Sequence, residues 1–154
     1  MQLNDFLDFD SIRLDVSAGN KRSTLNQLSQ VAGQRLGIDP TRIADAIADR
    51  ERLGSTGFGG GVAIPHGKLD DLDRIYGLVA RMAQPIDYKA LDGEPVDLIF
   101  MLLSPPDAGA EHLKALASVS RLVRNAATIE KLRGARTRDA LAAVLIATDE
   151  RDAA

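Results

Sequence analysis

The hydrophobic positions change period several times along the chain. Ile12, Leu14 and Val16 alternate with Arg13 and Asp15, the two-residue period of a half-buried strand over 12–16. Over 21–36 the spacing lengthens. Leu25, Leu28, Ala32 and Leu36 recur at helical intervals, and Gly37 stands where a helix commonly ends in the left-handed conformation. Asp39 followed by Pro40 marks a second helix start, an N-cap and a first-turn proline. Ile43, Ala46 and Ile47 share one face of that helix, and its end is expected near Leu53, before the turn-forming Gly54. Residues 75–82 read as a strand. The run 96–103 (VDLIFMLL) is almost continuously apolar, the signature of a central strand covered on both faces, and Pro105-Pro106 stops it. Residues 111–124 form an amphipathic helical pattern, and 137–147 another, with Thr137 as its cap. The acidic stretch 149–152 is expected to fray. Helices flanking a mostly buried sheet predict an α/β fold, a single domain over 1–154 with a central mixed β-sheet and a core over about 3–147.

Composition narrows the chemistry. The 154 residues, 45% of them hydrophobic, are enough for one domain with a real core. There is no Cys, which removes disulfides, thiolate nucleophiles and thiolate metal sites. Only two histidines, His66 and His112, are present, which excludes a three-His zinc site. A net charge of −3 argues against a surface built for nucleic-acid phosphates. No run approaches the roughly 20 apolar residues of a membrane span, so no membrane insertion is expected. The first ten residues lack the basic region of a signal peptide, and the expected location is cytoplasmic.

Six of the 13 glycines fall within 54–67. The segment is neither of the familiar nucleotide loops. Counting back from Gly67-Lys68 puts Val62 where a Walker A loop needs its first glycine, and Leu69 where it needs Ser or Thr. The dinucleotide pattern fails as well, because Val62 and Ile64 occupy the third glycine position in the two possible registers. What remains is a short apolar run, Val62-Ala63-Ile64, leading into Pro65-His66-Gly67. Pro65 holds Ile64 extended, so the strand is expected to stop just before His66. The glycine-rich loop is expected to present unshielded N–H groups as an anion cradle beside the imidazole. A neutral, nucleophilic imidazole next to such a cradle suits covalent acceptance of a phosphoryl group. A turn histidine bonded to local backbone fits the spacing equally.

Arg50 follows Ile43 by seven positions and Ile47 by three, so it lies on the buried stripe of its helix, close to the loop. It must meet an anion, or else an acid such as Asp49 or Glu51. His112 precedes Leu116, Val119 and Val123 on an apolar face, near a helix N-terminus that favours anions. A satisfied core histidine fits that position too.

The run Arg50-Glu51-x-Leu53-Gly54-Ser55-Thr56-Gly57-Phe58-Gly59-x-Gly61-Val62-Ala63-Ile64-Pro65-His66-Gly67 resembles the active-site signature of fructose/mannitol-type EIIA domains of the phosphoenolpyruvate-dependent phosphotransferase system. Pro85-Ile86, Asp92-Gly93-x-Pro95-Val96-Asp97-Leu98 and His112-Leu113 match in the same order, so the resemblance runs over about 3–147. Gly-Ser-Thr-Gly at 54–57 is most similar to the stand-alone nitrogen-regulatory EIIA proteins. Gly60 departs from the polar residue, such as Asn, found in many relatives. The resemblance implies a phosphotransferase component with His66 as phosphoryl acceptor, through Nε2, from an HPr-like phosphocarrier protein. It further implies that His112 and Arg50 stabilise the phosphate, that Ser55, Thr56, Gly57 and Gly67 bind it, and that no cofactor or metal takes part. Regulatory targets such as transporters or sensor kinases would be the downstream partners. Phe58 and Leu69 are the candidates for an apolar docking rim; Val62 fits the core better. Two other readings share the same surface: a sugar-specific EIIA passing phosphate to a permease EIIB, and a non-catalytic regulatory module.

Overall fold

The computed structural model describes residues 1–153; residue 154, the last of the expected domain range, lies outside them. Six strands form one mixed sheet: β1 (Arg13–Val16), β2 (Gly57–Gly59), β3 (Val62–Ala63), β4 (His66–Lys68), β5 (Tyr76–Ile86) and β6 (Val96–Ser104). The order is β1-β5-β6-β3-β2, with β4 also beside β6. β5 and β6 are antiparallel, β1 runs parallel to β5, β3 and β4 run parallel to β6, and β2 closes the edge antiparallel to β3. Five helices cover the sheet: α1 (Lys21–Leu36), α2 (Pro40–Arg52), α3 (Ala110–Arg124), α4 (Ala126–Gly134) and α5 (Arg138–Ala153).

β6 is the axis of the molecule, as its apolar run predicts. Leu98, Phe100 and Leu102 point into a core shared with α3, α4 and α5. Ile99, Met101 and Leu103 point the other way, into a core shared with α1 and α2. The alternation of successive side chains across a strand requires two such layers when every residue is apolar. The helix boundaries follow their caps. Asn20 accepts from the Ser23 N–H at 2.8 Å to start α1, and Gly37 at φ +69° ends it. Asp39 accepts from the Thr41 N–H to start α2, and Thr137 accepts from the Ala140 N–H to start α5.

Two expectations change, and one helix is new to the pattern. β3 stops before His66, at Ala63, as expected, but pairing along β6 resumes at once. Val62 pairs with Leu98, Ala63 with Ile99 and His66 with Leu102, one unbroken register along β6. Pro65 lacks only a donor, and its carbonyl still accepts from the Leu102 N–H at 2.9 Å, so His66 opens β4 rather than a loop. The acidic tail is not frayed. α5 continues through it, and the buried Asp149 accepts from the N–H groups of Leu3 and Asn4 at 2.8 and 2.9 Å. These N–H groups open a short 3-10 turn that has no other partner for them at its N-terminus. Finally, α4 follows α3 directly. Asn125 ends one helix and caps the next, accepting from the Thr128 N–H.

Candidate functional site

His66 is held by its own strand. Its Nδ1 lies 2.8 Å from the Ile64 carbonyl oxygen, which can only accept, so Nδ1 carries the proton and Nε2 keeps a lone pair. Arg50 reaches that lone pair from the last turn of α2, its Nε–H donating to His66 Nε2 at 3.1 Å while an Nη1 hydrogen bonds the Gly54 carbonyl at 2.8 Å. Asp49 pairs with Arg52 and Glu51 with Lys21, so Arg50 has no carboxylate partner among the described residues. Its guanidinium is tethered at one end and faces the histidine with the other.

His112 enters from the first turn of α3. Its ring centroid is 5.5 Å from that of His66, with the planes inclined at 57°. Both rings favour the neutral form. Burial pushes the His66 pKa below the usual imidazole value, and the Arg50 charge adds to this against the opposing bond to Ile64. Burial likewise lowers His112, helped by His66 and Lys68. Together Arg50, Leu53, His66, Gly67, Lys68 and His112 border an open concavity of about 490 Å³. Its charge is positive, since Asp49 at the rim is neutralised by Arg52. A dianionic tetrahedral group attached to Nε2 would find cationic and N–H donors on two sides.

The structure brings His66, His112, Arg50 and Gly67 together. Gly67 packs against Ala46, and a Cβ there would sit 3.2 Å from the Ala46 backbone, so the glycine lets β4 approach α2. Other expected site residues are used elsewhere. Ser55 accepts from the Gly57 N–H in its own turn. The buried Thr56 hydroxyl bonds Glu51 and Tyr88. Gly57 lies against Ala90, where a Cβ would collide. None of the three borders the concavity.

The glycine cradle is a hairpin instead. Gly59, Gly60 and Gly61 all have positive φ and turn β2 into β3. There Asp92 accepts from the Gly60 N–H, and Arg133 donates to the Gly60 carbonyl while pairing with Asp97 at 2.8 Å. Gly61 precedes His66 by five positions along β6, about 16 Å at 3.3 Å per residue. Gly60, at φ +66°, occupies the left-handed region that Asn tolerates next best, far from the reactive ring.

The docking rim also moves. Leu69 is 4% exposed and belongs to the α1/α2 core, and Val62 lies in the other core. Phe58 is 41% exposed, but it lies 5.9 Å from the guanidinium of Arg124, twelve residues along α3 from His112. At 1.5 Å per residue that is about 18 Å from the site. The exposed apolar residues beside the histidines are Leu53 at 83% and Leu113 at 67%. The signal for Leu113 was present in the sequence, since it falls off the stripe of His112, Leu116, Val119 and Val123.

The geometry has relatives. Residues 5–147 match the family model described as phosphoenolpyruvate-dependent sugar phosphotransferase system, EIIA 2. The chain belongs to this family. Members of the family transfer phosphoryl groups, and an EIIA domain is what the mixed sheet and paired histidines build here. The chain is 42% identical over 145 residues to a nitrogen regulatory protein of Bradyrhizobium diazoefficiens, covering 94% of this chain and 95% of that one. It superposes on the crystal structure of nitrogen regulatory protein IIA-Ntr from Neisseria meningitidis with a TM-score of 0.88 and 31% identity, over 93% of this chain and 98% of that one. IIA mannitol from Escherichia coli shares the fold at a TM-score of 0.75 and 18% identity, over 90% and 97% of the two chains. Among the described residues no helix is long and apolar enough to cross a membrane.

Proposed function

We propose that this EIIA domain is a regulatory phosphocarrier of the nitrogen branch, accepting a phosphoryl group on His66 Nε2 from an HPr-like protein. The observation that carries the reading is the fixed tautomer of His66: Nδ1–H is committed to Ile64, and the lone pair on Nε2, held at rest by the Arg50 Nε–H, faces the concavity shared with His112. In the transfer step the P–N bond of the donor phosphohistidine breaks, and its electron pair returns to the donor ring. A P–N bond forms to His66 Nε2, while the ring keeps its Nδ1 proton. Arg50 Nε–H leaves the lone pair and turns to the phosphoryl oxygens within its own reach. Alignment and charge stabilisation are most of what such a step asks of a protein. The product gathers a doubly negative phosphoryl group at one spot beside a ring made cationic by its retained Nδ1 proton, a net change of about −1, enough to alter the affinity of target proteins for the surrounding face.

Similarity to proteins named nitrogen regulatory supports the nitrogen branch, and the reading takes the chain as one cytoplasmic domain over 1–154. Incubation with phosphoenolpyruvate, enzyme I and an HPr-like carrier, followed by intact mass measurement, tests it. Gain of one acid-labile phosphoryl group, lost in His66→Ala, is the expected result; no gain in the wild type refutes it. Onward transfer to a sugar permease EIIB would instead make the protein a sugar-specific EIIA. Full regulation by a His66→Ala strain would make it a non-catalytic module.

A further inference from the structure

The apolar run of β6 ends in a single hydroxyl. Ser104 is the last residue of the strand and is fully buried, with its Oγ 2.6 Å from Nδ1 of His112. In parallel pairing with β4, Ser104 stands opposite Lys68, two positions beyond the pair Leu102–His66. His66 and Ser104 therefore project from the same face of the sheet, the face covered by α3. Other buried hydroxyls, such as those of Thr24 and Ser29, sit in helices and donate to the carbonyl four residues earlier. A strand residue has no such outlet, and His112 Nδ1 is the only partner of the Ser104 hydroxyl among the described residues.

We propose that Ser104 is a positioning residue: its hydroxyl donates to His112 Nδ1, forces the proton onto Nε2, and so makes His112 a hydrogen-bond donor toward the group carried by His66. The proposal rests on the phosphocarrier reading for its use, but not for its geometry. A buried hydroxyl hydrogen needs an acceptor, and the alternative tautomer, with Nδ1–H donating to Ser104, would leave that hydrogen unmated. The penalty for an unmated buried donor favours the Nε2–H form by about tenfold or more. The two histidines thereby become opposites. Ile64 offers an oxygen that can only accept, which leaves a lone pair on Nε2 of His66. Ser104 offers a hydrogen that must be donated, which places a proton on Nε2 of His112. Without Ser104 both rings could present lone pairs to the same concavity, and a phosphoryl oxygen would be repelled from one of its sides.

Long-range proton–nitrogen correlation spectra of imidazole-labelled protein read both tautomers at neutral pH, and with only two histidines the assignment needs only His66→Ala. The expected spectrum has Nδ1–H on His66 and Nε2–H on His112. In Ser104→Ala the His112 signals move toward a tautomer mixture while those of His66 stay, and Ser104→Thr restores the wild-type pattern. Phosphoryl acceptance should fall about fivefold in Ser104→Ala, the worth of one neutral hydrogen bond, and recover in Ser104→Thr. A wild-type His112 carrying its proton on Nδ1 overturns the proposal, as does an Ala variant with unchanged His112 signals or an unchanged rate. The wild-type spectrum needs no phosphoryl donor, and its assignment asks only that His66→Ala fold. If His66 gains no phosphoryl group, the functional reading falls while the tautomer assignment is still decided.

Discussion

Replacing Arg50 by Met keeps the aliphatic stem against α2 and removes the guanidinium. In the resting protein this loses the 3.1 Å bond to His66 Nε2 and the 2.8 Å bond to the Gly54 carbonyl. In the phosphorylated protein it loses hydrogen bonds between a cation and phosphoryl oxygens. Bonds with a charged partner are worth roughly 1.5–3 kcal/mol, with the cation–phosphoryl bonds at the upper end and the resting bond from Arg50 to a neutral ring at the lower. The difference for one or two such bonds is about 2 kcal/mol, or about thirtyfold in kcat/KM for phosphoryl acceptance. The assay is the initial rate of label transfer from a phosphorylated HPr-like donor to the wild type and the variant. A second reading comes from the proton NMR titration of His66. Burial is the main cause of its lowered pKa and remains, but the Arg50 charge acts in the same direction, so its removal must raise the titration midpoint. A rate within threefold of wild type, or a midpoint that stays or falls, refutes the reasoning.

Glu51 is half-buried among Lys21 at 2.7 Å, the N–H and hydroxyl of Thr56, and the Tyr88 hydroxyl at 3.1 Å. Burial pushes its carboxyl up, but the bonds from Lys21 and Thr56 outweigh this and hold it below the ordinary value of 4.5. A carboxyl depressed in the folded state stabilises it above the unfolded pKa, and the benefit is lost as pH falls through the folded one. Glu51→Gln should therefore cost about 2–4 kcal/mol in urea unfolding at neutral pH, and flatten the acid limb of stability below pH 4.5; a loss under about 0.5 kcal/mol contradicts the pairing. Gly61→Ala should cost about 2 kcal/mol, because φ is +84° there and the new Cβ would displace Arg133 from Asp97. The same variant should accept phosphate at the wild-type rate, and a tenfold drop would return the hairpin glycines to the site.

Much of this was readable from residue pattern. Caps and periodicity gave α1, α2 and β6, because Asp39 and Gly37 act through the adjacent backbone and carry the information locally. The inward placement of Arg50 and His112 followed from their spacing to Ile43, Ile47, Leu116 and Val119. The glycines misled because a glycine declares a backbone requirement without saying which one. The same residue type makes a hairpin at Gly61 and a close approach to α2 at Gly67. Thr56 misled in a similar way, since its hydroxyl has two faces and only tertiary packing shows that Glu51 and Tyr88 claim it. α4 was hidden by its length, nine residues with Ile129 and Leu132 as its buried apolar residues. Ser104 gave no periodic signal, being one polar residue at the end of an apolar run. Its meaning depends on His112, which lies across a chain reversal.

The contact between Asp149 and the N–H groups of Leu3 and Asn4 brings the two ends of the fold to one place. The neighbouring bond from Ser118 to the Met1 carbonyl puts that place at least six residues along α3 from His112, about 9 Å or more at 1.5 Å per residue. A fold whose ends meet can be spliced into a larger polypeptide through a single point of attachment, or reopened at another loop with its old ends joined. For such fusions the clasp sets the geometry: a tether leaves from the far part of α3, and the histidine face stays free to turn toward whatever the tether brings.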